Sequence, residues 1–252
     1  MSTTSKRVVT NLVAGGALTL LLAACGPSNE ERLAATRARH AEIEANKELA
    51  NLKQLQSIGR DDLALNLAND LLRRFPNTAA ATEAKALVGP LSAKADAERE
   101  ARRLHDLWVY HDTQDAGAGG KVKSAYIYSA NTLGDAEPGK DAPKARLVLR
   151  RHPEWGDDVY LLTDRGHFAC TDPCTVNVTF DAGATEAYPG KLPETGEPAM
   201  FVEDFKRFVS ELSGAQKIRF EVTLDDGSKH VPVFEVGGYD DTTIGNPNRP
   251  AQ

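Results

Sequence analysis

After its first 25 residues the chain has no apolar run long enough to cross a bilayer, so no internal membrane span is expected. Positive charge is also short. Lys and Arg number 30 against 36 Asp and Glu, and the formal net charge is −6. A nucleic-acid binder wants a basic face, so that partner is not expected. Cysteine is scarce, at three residues. The six histidines, at 40, 105, 111, 152, 167 and 230, show no ligand spacing such as H-x-x-x-H. Serine and histidine occur without the context of a nucleophile elbow. The glycine-rich stretch 115–120 follows a predicted helix and opens a predicted strand. A phosphate-cradling loop has the reverse order. The sequence therefore predicts no catalytic residue, no metal site and no cofactor, and a chain that is not an enzyme.

What is present begins at the start. Lys6 and Arg7 precede an almost uncharged run, 8–22, which ends in Ala23, Ala24 and Cys25. A basic segment, an apolar core and a small-residue cleavage site form the layout of an export signal. The run is about 15 residues, short of the ~20 that a bilayer span needs; an ordinary cleaved signal and a membrane-anchoring helix are the alternatives for it. The stretch Leu22-Ala23-Ala24-Cys25 resembles the lipobox of bacterial lipoproteins. That resemblance implies cleavage before Cys25, a diacylglyceryl thioether on its sulfur and a further acyl chain on the new amine. Two or more chains make a stable anchor, whereas one is marginal. Position 26 is Gly, not the Asp that retains such proteins in the inner membrane, so the family rule implies the outer membrane, facing the periplasm. Losing 1–24 removes two basic residues and no acid, so the mature charge becomes −8.

The remaining chain divides by composition into a tether at 25–29, a helical segment at 30–112, a linker at 113–120, a β-rich domain at 121–238 and a disordered tail at 239–252. The predicted fold class is α+β: a helical hairpin segment, then a small, mostly antiparallel, sandwich-like sheet domain with one packed helix. The first helix, 30–58, carries an imperfect stripe of Leu33, Ala41, Ile43, Leu49, Leu52 and Leu55. Its first part is weakly apolar and reads as an exposed stalk. Gly59 breaks it and Asp61 is expected to cap the next helix. Leu63, Leu67, Leu71 and Phe75 stand at helical spacing before Pro76. Thr78 is expected to cap a third helix, which Gly89-Pro90 should kink or end. A fourth helix is expected over 91–110, with Trp108 and Tyr110 packing at the junction with the sheet.

Gly59, Ala64 and Pro76 sit at the spacing of the small and proline positions of a tetratricopeptide repeat, and Leu71-Leu72-Arg73-Arg74-Phe75-Pro76-Asn77 looks like the end of such a unit, a resemblance that covers one repeat and half of another. Glu48 departs from the pattern, standing where an aromatic is usual. A repeat stack needs about three units to bury its own core. The resemblance therefore implies that this single unit leans on the rest of the chain or on a partner. A plain helical hairpin fits the same residues.

In the later half, strands are expected at 123–130, 146–151, 159–163, 175–180, 217–224 and 228–236, a long loop at 181–196 and one helix at 200–213. Asp226-Gly227 signals a hairpin, and Pro232 an edge or bulge in the last strand. Leu147-Val148-Leu149-Arg150, Val159-Tyr160-Leu161, Val178-Thr179-Phe180-Asp181, the helix to Leu212 and Phe234-Glu235-Val236-Gly237-Gly238 together look like the small β-rich domain of periplasmic accessory proteins of type VI secretion systems. That resemblance implies a secretion role and carries no catalytic residue.

Cys170 and Cys174 flank a proline turn between strands. With Cys25 acylated they remain as an even pair in an oxidising compartment, which fits a disulfide. A metal site would need more ligands, and His167 is the only one near. A redox pair would be C-x-x-C at a helix start. The leading functional expectation is a lipid-anchored module that binds another envelope protein. The alternatives are a hydrolase using Asp157, Asp158 or Asp181, and a small-ligand or glycan binder using Trp155 and the 181–196 loop.

Overall fold

The computed structural model describes residues 28–115, 117 and 119–244, so the signal 1–24 and Cys25 lie outside the described residues. The chain forms two compact units, Met1–Gly89 and Pro90–Gln252. The boundary falls inside a helix, not at the expected linker.

In the first unit α1 spans Asn29–Ser57. It starts where Ser28 and Glu31 cap each other: the Glu31 N–H donates to Ser28 Oγ at 3.2 Å and the Ser28 N–H to Glu31 Oε2 at 2.6 Å. It ends where Gly59 takes φ +70. There the Gly59 N–H donates to Gln56 O (3.1 Å) and the Arg60 N–H to Leu55 O (2.9 Å). These are the paired bonds of a left-handed helix stop. Helix α2 is Asp61–Arg74, with Asp61 and Asp62 in its first turn and Arg73 and Arg74 in its last, the signs its dipole favours. Asp61 does not cap it, because the cap position is Arg60 and makes no side-chain bond. Thr78 does cap α3, accepting from the Ala81 N–H at 3.1 Å.

The helical stripe is narrower than the leucines suggest. Ala45, Leu49 and Leu52 of α1 and Ala64, Ala68 and Leu71 of α2 are buried, while Leu33, Ile43 and Leu63 are exposed. Alanine at i and i+4 lets two helix backbones approach closely and pushes bulkier side chains to the flanks. Residues 28–40 are exposed throughout, as expected of a stalk. Arg74 joins the hairpin, pairing with Glu48 of α1 and Asp70 of its own helix.

Helix α3 runs Ala79–Asp106 with Pro90 inside it, so the expected third and fourth helices are one. An interior proline costs about 3 kcal/mol. Alanine, leucine and lysine on both sides, strong helix formers, offset it.

The second unit holds an 11-stranded sheet whose pairs are all antiparallel, in the order β1-β2-β3-β4-β8-β7-β6-β9-β10, with β5 and β11 also on β9. The strands are β1 Val109–Asp115, β2 Gly120–Tyr128, β3 Ala145–His152, β4 Gly156–Thr163, β5 Phe168–Ala169, β6 Thr175–Phe180, β7 Thr185–Lys191, β8 Ala199–Val202, β9 Ile218–Leu224, β10 Lys229–His230 and β11 Val233–Phe234. The chain just after β2 also reaches β11. The Ala130 N–H after β2 donates to Val233 O at 2.7 Å, and Asn131 bonds the backbone of Val231 and Val233.

The buried side packs Leu147, Leu149, Leu161, Val178 and Phe220 around α4, Phe205–Leu212. Phe208 of α4 meets the rings of Phe180, Tyr188 and Phe220 at 5.5, 5.9 and 6.0 Å. Trp108 packs as expected, with its indole N–H directed at Val236 O and its ring 5.0 Å from Tyr239.

Four expectations need correction. The linker 113–120 is largely the β1–β2 hairpin, with Asp115 opposite Gly120. Its polar residues hide an edge strand. The 181–196 loop contains β7, masked by Pro189 and Gly190 in its midst. The helix 200–213 is shorter, because Ala199–Val202 is strand β8 and Asp204, at φ 65, turns the chain before α4. The tail is not disordered from 239: Tyr239 packs on the core and Ile244 of α5, Asp241–Ile244, is buried. Residues 245–252 lie outside the described residues.

Candidate functional site

Alternation along β3 and β4 turns Leu147, Leu149, Val159 and Leu161 inward and Arg146, Arg150, Tyr160 and Leu162 outward. The outer side therefore acquires a row of arginines and rings. Arg146 lies over Tyr126 (5.3 Å) and Tyr128 (5.6 Å), and Arg150 over Trp155 (5.3 Å) and Tyr160 (5.4 Å). Register places Tyr160 opposite Phe201 of β8, with ring centroids 5.2 Å apart. Around Trp155, Tyr160 and Phe201 lies a groove of about 330 Å³, lined also by Pro193, Thr195 and Glu197.

Trp155 stands in the turn between β3 and β4. His152 is buried, and its Nδ1 accepts the N–H groups of Glu154 (3.2 Å) and Trp155 (3.1 Å). The two rings stack at 3.9 Å with 6° between planes. Yet Trp155 keeps 64% of its surface exposed. The indole is thus fixed in place and open. Arg150 donates through Nε (3.2 Å) and Nη2 (2.6 Å) to Asp158 Oδ2. Burial raises the Tyr160 hydroxyl above its usual range, more than the neighbouring Arg150 lowers it. The Glu197 carboxyl is held below the usual range, chiefly by the Thr195 hydroxyl.

Of the sequence-predicted residues, Trp155 and part of the 181–196 loop are brought together here. Arg150, Tyr160 and Phe201 were not predicted. Their signal was available, as large residues at outward parity on adjacent strands, but it needs the β4–β8 register to be seen.

The three candidate carboxylates do not converge. Asp157 and Asp158 are consecutive on β4 and so face opposite sides. Asp157 holds Arg151 in a two-bond fork at 3.0 and 2.9 Å, and Asp158 holds Arg150. Asp181 Oδ1 accepts the N–H groups of Gln216 (2.9 Å) and Lys217 (2.8 Å), an anchor for the turn into β9. The hydrolase expectation loses its pair, because each carboxylate is engaged in holding a strand end or a turn.

Cys170 and Cys174 are joined by a disulfide, with Cα atoms 5.3 Å apart. Among the described residues no group of three His, Cys, Asp or Glu side chains is arranged to hold a metal ion. Nor does any described helix have the length and apolarity to cross a membrane.

The helical unit has its own groove, about 380 Å³, whose lining includes Ala38, Ala41, Phe75 and Pro76. No known protein-family model matches the chain, and no curated protein or solved structure is significantly similar to it.

Proposed function

We propose that the chain is a lipid-anchored protein of the outer membrane, facing the periplasm, that binds another envelope protein through its helical unit and catalyses no reaction. One observation carries the binding part. The two-helix hairpin buries a narrow apolar strip (Ala45, Leu49, Leu52, Ala64, Ala68 and Leu71) and leaves Leu33, Ile43, Ile58 and Leu63 open to solvent. Ile43 is 63% exposed, between Glu42 and Glu44. We read these open apolar side chains as points that a partner covers. A lone tetratricopeptide-like unit has the same need.

The anchor rests on the Leu22-Ala23-Ala24-Cys25 resemblance. The exposed stretch 28–40 of α1 suits a spacer between an acyl group and the folded parts, since about 12 helical residues extend roughly 18 Å. The likeness of 147–238 to type VI accessory domains fits an assembly role and leaves the partner unnamed.

The test is photo-crosslinking in intact cells, with a photoreactive residue placed at Ile43 or at Leu63 in the full chain. The expected result is one discrete protein adduct, the same from both positions and lost in Cys25→Ser. No adduct from either position, with the protein exported and folded, overturns the proposal.

A further inference from the structure

We propose that the groove on the outer side of the sheet, between Trp155 and Phe201, is a binding site for a neutral saccharide. This goes beyond the partner-binding reading and stands without it, because it uses different residues in the other unit.

The first argument is the platform. An exposed indole normally explores many rotamers, and a ligand that stacks on it must freeze them. Here His152 holds the ring before any ligand arrives, which lowers that cost. A pyranose presents a flat face of C–H groups that suits an exposed aromatic ring. Tyr160, Phe201 and Pro193 supply further apolar lining.

The second argument is charge. Two ligand classes stack on aromatics as well as sugars do: organic cations and flat anions. A cation would meet the Arg150 guanidinium, which already lies against both Trp155 and Tyr160. An anion would meet Glu197, which Thr195 keeps ionised, and Asp158, which already cancels Arg150. What remains favoured is a ligand with no net charge and many hydroxyls. For it the wall offers the Arg150 guanidinium, its charge offset by Asp158, the Thr195 hydroxyl and the Glu197 carboxylate. Sites that take small molecules combine mostly apolar walls with a few such polar groups. The volume, about 330 Å³, is at the small end of the ~300–1,000 Å³ typical of such sites and fits a short saccharide, not a large ligand.

The experiment uses the mature chain, with Cys25→Ser for solubility, and three neutral probes: cellotriose, maltotriose and chitotriose. Glucosamine and N-acetylneuraminic acid serve as the charged controls. Tryptophan fluorescence reads binding, since Trp155 is exposed and the other tryptophan, Trp108, is buried. We expect saturable change with at least one neutral probe and weaker or no response to either charged one. Trp155→Ala should weaken binding about tenfold or more, followed by calorimetry, while leaving the unfolding temperature almost unchanged. Trp155→Phe should restore part of it. Phe201→Leu tests the opposite wall and should weaken binding with the same probe. Absence of response to all three neutral probes, equal response to a charged one, or binding unaltered in Trp155→Ala overturns the proposal. So does a protein adduct formed in cells by a photoreactive residue at 155, which would make the groove a protein-docking face.

Discussion

At the scale of single residues, the clearest constraint is Gly190. A Cβ there would lie 2.5 Å from Val176 Cγ2 and 3.1 Å from Cys174 Sγ. Gly190→Ala should therefore cost about 1–3 kcal/mol by overpacking. Urea unfolding would show it as a lower midpoint at unchanged slope. Tyr188 makes the opposite case. Its ring is wholly buried and its hydroxyl has no partner among the described residues. A buried, unmade hydrogen bond costs about 1–3 kcal/mol, so Tyr188→Phe should leave stability at pH 7 unchanged or higher. Burial also pushes this phenol up to about 12 from 10. The folded state thus holds its proton while the unfolded chain loses it. The Tyr188 contribution is complete below pH 10, falls as pH rises from 10 to 12, and is gone above. Unfolding measured across that window should show the wild type losing about 2–3 kcal/mol relative to Tyr188→Phe. Equal pH profiles would contradict the burial argument.

At the scale of elements, α4 and α3 make the testable points. Phe208 sits among three aromatic rings at the centre of the sheet's inner side. Phe208→Ala should cost about 3–5 kcal/mol in chemical unfolding. Pro90→Ala should lengthen nothing, because α3 is already continuous, but should raise stability by about 1–2 kcal/mol by restoring a helix bond. A drop in stability would mean the proline is needed where it stands. The tiny loop closed by Cys170 and Cys174 limits their bridge to about 2 kcal/mol, to be read from unfolding of Cys170→Ser/Cys174→Ser.

These elements also show what the sequence made legible. The alternation in 175–180 and 217–224 and the Asp226-Gly227 turn led directly to β6, β9 and the hairpin after β9. The hydrophobic period failed where side-chain size mattered more than hydrophobicity, at Ala64 and Ala68. It failed again where strands carry polar residues or proline, as in β1 and β7. Of the groove, Trp155 and the neighbouring loop could be named from sequence. Arg150, Tyr160 and Phe201 could not, because their meeting depends on β4 pairing with β8, a register set by the whole sheet.

At the scale of the whole molecule, the proposed anchor at Cys25 precedes a helical unit and a sheet unit that carries an aromatic groove. No described helix is long and apolar enough to cross a membrane, and in the proposed reading the lipid on Cys25 supplies the attachment. Cys25→Ser should move the protein from the membrane pellet to the soluble fraction, as followed by fractionation of cells. The most direct measurement is the intact mass of the protein extracted from membranes. The account predicts an amino terminus at Cys25 carrying a diacylglyceryl group and a further acyl chain. An unacylated amino terminus, at Cys25 or at any other residue, would contradict it.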